Sequence, residues 1–166
     1  YADNFSGDGI KSAIQYAHLN NVKCYLTLNT VIKDSEMQDA LELVGEAVSY
    51  GIDAVIIQDI GLARLVHNLF PELQLHASTQ MAVHNVSGAK QMQELGFTRV
   101  VLAREMSAEE IRAVVEQVPV ETEIFVHGAL CMCLSGQCYM SSLIGERSGN
   151  RGLCAQPCRL PFSSVR

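Results

Sequence analysis

The chain has 166 residues, of which 48% are apolar and four are proline, which excludes a disordered or fibrous protein and allows one domain with a real core. No apolar run reaches the ~20 residues of a membrane helix, and Tyr1-Ala-Asp-Asn-Phe-Ser6 has neither the basic start nor the apolar stretch of a secretory signal. The net charge of -6 is uneven: residues 1–125 hold 17 acids against 8 bases, whereas residues 126–166 hold Glu146 against Arg147, Arg151, Arg159 and Arg166. The acidic body argues against broad nucleic-acid binding, while the basic end suits an anionic substrate. A cytoplasmic protein with no membrane partner is expected. The start without Met fits a fragment or a processed chain.

Helix and strand patterns then alternate. Ile10, Ala13, Ile14 and Ala17 have helical spacing, and 22–28 reads as a strand. Ser35-x-x-Gln38 reads as a capping box opening a helix with Met37, Leu41, Val44 and Val48 on one face, ended by Gly51. Residues 54–58 form a short apolar strand. Leu62, Leu65, Val66 and Leu69 mark a helix stopped by Pro71, and 73–77 is the next strand. A helix from Asn85 ends at Gly96, and a strand follows at 99–103. Ser107-x-x-Glu110 caps another helix, and 122–126 is the fifth strand. A sixth is expected near 160–165.

Short apolar strands, each followed by a helix, predict a parallel α/β sheet. A closed barrel needs eight strands, so the chain is either an open flavodoxin-like sheet or a partial (β/α) barrel of the TIM type; a start on a helix rather than a strand favours the partial barrel, with 1–126 as its body and 127–166 as a cysteine-rich end of the same domain. Open barrel edges predict contacts between copies. The strand ends carry Thr27, Asn29, Gln58, Asp59, His76, Ser78, Gln80, Arg104, Glu105 and His127. In a barrel that rim is where chemistry sits. Asn29, Gln58, His76, Gln80, Arg104 and His127 are expected to share one concavity. Arg104 and Glu105 read either as an ion pair at the barrel mouth or as substrate-facing groups.

Five of the six cysteines, Cys131, Cys133, Cys138, Cys154 and Cys158, fall near the end; Cys24 stands alone in a strand, most simply as a core residue. With no export signal and a long body free of staples, metal or catalytic use outweighs a disulfide framework. Thiolates on several glycine-rich loops suit an iron–sulfur cluster. Zinc is second, because only Cys154 and Cys158 have knuckle spacing. Isolated buried thiols are the third reading. Asn150, Arg147 and Arg151 can grip a carboxylate or phosphate. A protease would need a pair such as Cys131 or Ser78 with His76 or His127.

One stretch is specific. Glu123, Phe125, Gly128, Ala129, Leu130, Cys131, Gly136, Cys138, Met140 and Ser141 stand in the register of a long motif. That motif resembles the pattern of the collagenase-like peptidase family of unknown catalytic type, number thirty-two. Thr27-Leu-Asn-Thr30, Ser78-Thr-Gln80 and Leu102-Ala-Arg-Glu105 are similar to it as well. The resemblance covers essentially the whole chain and implies the middle and end of the family's N-terminal barrel, hence a fragment. It implies one of two activities. One is proteolysis of peptides such as collagen. The other, preferred, is oxygen-independent or prephenate-linked hydroxylation of a pyrimidine in RNA, or of a ubiquinone precursor, with a four-iron (4Fe-4S) cluster. Carried over, Cys131, Cys138 and Cys154 match cluster ligands, and the fourth is Cys158 or a cysteine beyond Arg166. Cys133 lies outside the pattern. The isolated fragment is expected to lose its cluster readily. In the whole enzyme His76, Arg104, Glu105 and His127 are the candidate catalytic groups, and Asn29, Gln58, Gln80, Arg147 and Arg151 the candidate substrate-binding ones.

Overall fold

A computed structural model describes Phe5 and residues 7–163. Five strands, β1 (Tyr25–Leu28), β2 (Ala54–Ile57), β3 (Gln74–Ala77), β4 (Phe97–Val101) and β5 (Glu121–Glu123), form one parallel sheet in sequence order. Helices α1 (Asp8–Leu19), α2 (Met37–Ser49), α3 (Ile60–Leu69), α4 (Val86–Glu94) and α5 (Ala108–Gln117) alternate with them, and the short α6 (Met140–Gly145) follows. A sheet that adds each new strand beside the last is the arrangement of a barrel wall. Among the described residues no helix is long and apolar enough to cross a membrane.

The two faces of the sheet differ. Val55, Ile57, Leu75, Ala77, Val100 and Leu102 pack with Val44, Leu62, Val66, Ala89 and Val114 in one buried core beneath the helices. Alternation along each strand sends their neighbours to the opposite, inner face. There Arg99 pairs with Glu121 at 2.7 Å and with Glu123 at 3.4 Å. Its guanidinium carbon stands 5.5 Å from the centroid of the Tyr25 ring, which meets His76 edge-on at 4.9 Å.

Caps explain where the helices start. The Asp59 carboxylate accepts from Leu62 N–H at 2.9 Å and from Ile32 N–H at 3.2 Å. That makes it a structural cap rather than a substrate group. Asn85 caps α4, and Ser107 with Glu110 forms the expected box on α5. The box expected at Ser35 and Gln38 is displaced: Asp34–Glu36 is a 3-10 turn in which Glu36 accepts from Lys33 N–H at 2.9 Å, and α2 begins at Met37. Ser35 lies inside that turn and cannot cap the helix. β4 starts directly after Gly96, two residues earlier than expected, and β5 ends at Glu123. Residues 160–163 form no strand, and the rest of the expected sixth strand lies outside the described residues.

Candidate functional site

The segment after β5 is anchored to the barrel rim at three places. Arg104, just after β4, donates to the Cys131 carbonyl at 2.6 Å, to the Cys133 carbonyl at 3.0 Å and to the buried Ser135 hydroxyl at 3.2 Å. Glu105 accepts the Ser135 N–H at 2.9 Å and stands 3.8 Å from Arg104. The pair expected at the barrel mouth is therefore a clamp on the cysteine loop, which leaves its carboxylate and guanidinium engaged with the chain. At the second place Gly136, with φ +70°, packs against the turn after β3 so closely that a Cβ would lie 2.0 Å from the Gln80 carbonyl oxygen. At the third, Val31 N–H donates to the Asn150 carbonyl at 3.1 Å. Arg151 donates to the Val31 carbonyl and grips both oxygens of Glu36, at 2.9 and 2.5 Å. That fork holds the Glu36 carboxyl down at about 2.

Three bonds close the segment on itself. Arg159 donates to the Leu130 carbonyl at 2.7 Å, tying the second cysteine pair to the first loop. Ala155 N–H donates to the buried Ser141 hydroxyl at 3.0 Å. Arg147 donates to the Leu153 carbonyl at 3.0 Å. The basic residues that looked like anion ligands thus direct donors at the protein's own oxygens, and the hubs Ser135 and Ser141 carried no signal in the sequence beyond the motif that contains Ser141.

The result is a cavity of about 640 Å³ lined by all five clustered cysteines, with Thr79, Gln80, Arg104, Phe125, His127 and Asn150 among the other walls. Cys131 and Cys154 are exposed, and Cys133, Cys138 and Cys158 half-buried; all are free thiols. Burial and the neighbouring Cys138 push the Cys133 thiol up. Among the described residues no three His, Cys, Asp or Glu side chains stand close enough to grip a single ion.

Of the six groups expected to share a concavity, Gln80, Arg104 and His127 do so. Asn29, Gln58 and His76 do not line it. Asn29 and Gln58 are half-buried at the ends of their strands, while His76 lies within β3, on the inner face below the rim. His76 is 1% exposed, and neither ring nitrogen has a hydrogen-bond partner. It therefore forms no base–nucleophile pair with Ser78 or Cys131; the Ser78 hydroxyl instead accepts from Gln80 N–H. The Gln58 and Gln80 side-chain oxygens are likewise buried without a partner.

Burial, then the charge of Arg99, holds His76 down at about 4 from 6.5. The unfolded chain thus binds the extra proton first as pH falls. The stabilisation is complete above pH 6.5, shrinks as pH falls and is gone below about 4, a loss on the order of 3 kcal/mol. Urea unfolding at neutral and acid pH should show this loss reduced in His76→Leu. An equal loss in the variant would contradict it.

A parallel β/α wall whose rim closes over a cysteine-lined cavity defines the class of protein. The chain belongs to peptidase family U32, whose family model matches residues 1–166. It is 42% identical over 154 residues to the 23S rRNA 5-hydroxycytidine C2501 synthase of Escherichia coli K12, covering 93% of this chain and 23% of that one. It is 38% identical to the E. coli tRNA hydroxylation protein P, covering 97% and 36%. It is 32% identical to a collagenase of Porphyromonas gingivalis, covering 98% and 41%. The chain thus spans well under half of each relative. The solved structure of the U32 peptidase Mk0906 shares the fold, with a TM-score of 0.60 and 17% identity over 72% of this chain and 51% of that one.

Proposed function

We propose that this chain is the cofactor-bearing part of an enzyme that hydroxylates a pyrimidine base in RNA, with a four-iron cluster held by Cys131, Cys138, Cys154 and Cys158. The observation that carries the reading is the meeting of five thiols, from loops up to 27 residues apart in sequence, on one cavity. The donor set fits the group. Thiolates are the ligands of iron–sulfur clusters, and a cluster takes each thiolate on a different iron, so its ligands stand farther apart than those of one ion. Zinc would need four donors gathered around a point.

When bound, such a cluster supplies one-electron transfer at the cavity. The chain's own residues do the rest. Arg104, Glu105 and Ser135 hold the first cysteine loop on the rim, and Arg151 with Glu36 holds the segment before the second pair. Gln80 and His127 face the same cavity and offer hydrogen bonds to the edge of a base. Glu36 and Glu105 offset the charges of Arg151 and Arg104, whereas Arg159 donates to a neutral carbonyl and keeps a net charge that attracts phosphate. Substrate class is supported by the hydroxylation named for two relatives.

Mass spectrometry of nucleosides from RNA tests this reading. A strain lacking the protein should lose a hydroxylated pyrimidine. The wild-type gene should restore it, and Gln80→Leu should restore at most a small part. RNA unchanged by the deletion, with a purified protein that cleaves collagen peptides and stops when Cys131 is replaced, would establish the peptidase reading instead.

A further inference from the structure

We propose that Phe125 and Tyr139 are the stacking platform of this cavity, and that what they hold is one unpaired RNA base. The inference rests on the base-hydroxylase reading and says how that site takes its substrate. Both rings line the cavity, yet 50% of Phe125 and 66% of Tyr139 stay exposed. Apolar rings left wet on the wall of a concave site forgo about 25 cal/mol for every Å² they could bury, and a flat partner recovers it.

Their place in the chain supports the same occupant. Phe125 follows β5, two residues after Glu123, where the chain leaves the ladder and enters the cavity wall. Tyr139 is the immediate neighbour of Cys138. A base laid on these rings would sit beside the proposed redox centre.

Charge supplies attraction without identity. Arg104, Arg147, Arg151 and Arg159 aim guanidinium N–H groups at carbonyl or carboxylate oxygens of the chain. The field that Glu36 and Glu105 leave unbalanced draws phosphate, but those donors are spent. Beyond the edge contacts of Gln80 and His127, grip on the base then falls to a π-face, which every nucleobase offers when it is not paired and stacked in a duplex. A duplex hides that face, so the partner is a single strand, a loop or an extruded nucleotide.

The test uses the whole protein and short fluorescent pyrimidine-rich RNA, single-stranded or annealed, with anisotropy read at one fixed salt concentration. Wild type should bind the single strand more tightly than the duplex. Tyr139→Ala and Phe125→Leu should each weaken single-strand binding roughly tenfold. Tyr139→Phe, which keeps the ring, should bind as wild type does. Iron content and circular dichroism should be unchanged in all three, since Tyr139 is a surface side chain and leucine keeps the apolar bulk at Phe125. If both ring-removing variants bind as wild type does while RNA is still hydroxylated in the cell, the platform is wrong and the base-hydroxylase reading stands. If wild type binds neither RNA and modifies none, that reading falls and this inference with it.

Discussion

Gly136→Ala is expected to empty the cavity of metal while leaving the five-stranded sheet in place. Two costs meet at this residue. Its φ of +70° is a conformation that side chains resist, and the new Cβ would lie 2.0 Å from the Gln80 carbonyl oxygen and 2.8 Å from its carbon. Backbone atoms on a short turn cannot step aside as a flexible side chain can. Strain and overpacking together come to on the order of 3 kcal/mol. The clash lies between the cysteine loop and the rim, so the loop moves rather than the core. Ser135, the preceding residue, then leaves Arg104 and Glu105, and the clamp opens. Iron per chain should fall to a small fraction of wild type, with far-UV circular dichroism preserved. Gly128→Ala is the control: its φ is +134°, but nothing stands within 4 Å, so only the backbone strain is added. Wild-type iron in the Gly136 variant would show that the close approach to Gln80 does not position the loop.

The barrel wall was legible because local signals agree with the fold. Apolar runs such as Ala54–Ile57 are buried strands, and Ser107 with Glu110 is a cap in sequence and in space. Element ends were less legible where two signals competed. Ser35-x-x-Gln38 matches a capping pattern, but the Glu36 carboxylate binds Lys33 N–H and draws Arg151 from 115 residues away. No local pattern carries that contact. The sequence pattern carries β5 three residues past its end at Glu123, because Ile124-Phe125-Val126 has strand character but stays outside the ladder.

The site was legible as chemistry and not as geometry. Cysteine spacing brought Cys131, Cys138, Cys154 and Cys158 forward, and they do share a cavity. The roles of the charged residues were not readable, because an arginine in a glycine-rich loop looks the same whether it awaits an anion or holds a carbonyl. Arg104 and Arg151 hold carbonyls. His76 has the look of a rim group from its place near the end of β3, yet it pairs within the ladder and lies buried on the inner face below the rim.

Cysteine replacement should have the largest effect of all. A serine oxygen is a poor ligand for soft iron, so losing one of four thiolates should release the cluster rather than loosen it. The barrel core would not register the change, because Cys131 and Cys154 are exposed and none of the four belongs to either buried apolar cluster. Cys24→Ser is the matched control, since Cys24 packs against Ile10, Ile14 and Ala47 away from the cavity. The most direct measurement is iron and acid-labile sulfide in the whole protein purified without oxygen. Wild type and Cys24→Ser should be brown with four irons and four sulfides per chain, and Cys131→Ser, Cys138→Ser and Cys154→Ser colourless with almost none. Stoichiometric zinc without sulfide in the wild type, or a cluster that survives those three replacements, would contradict the account.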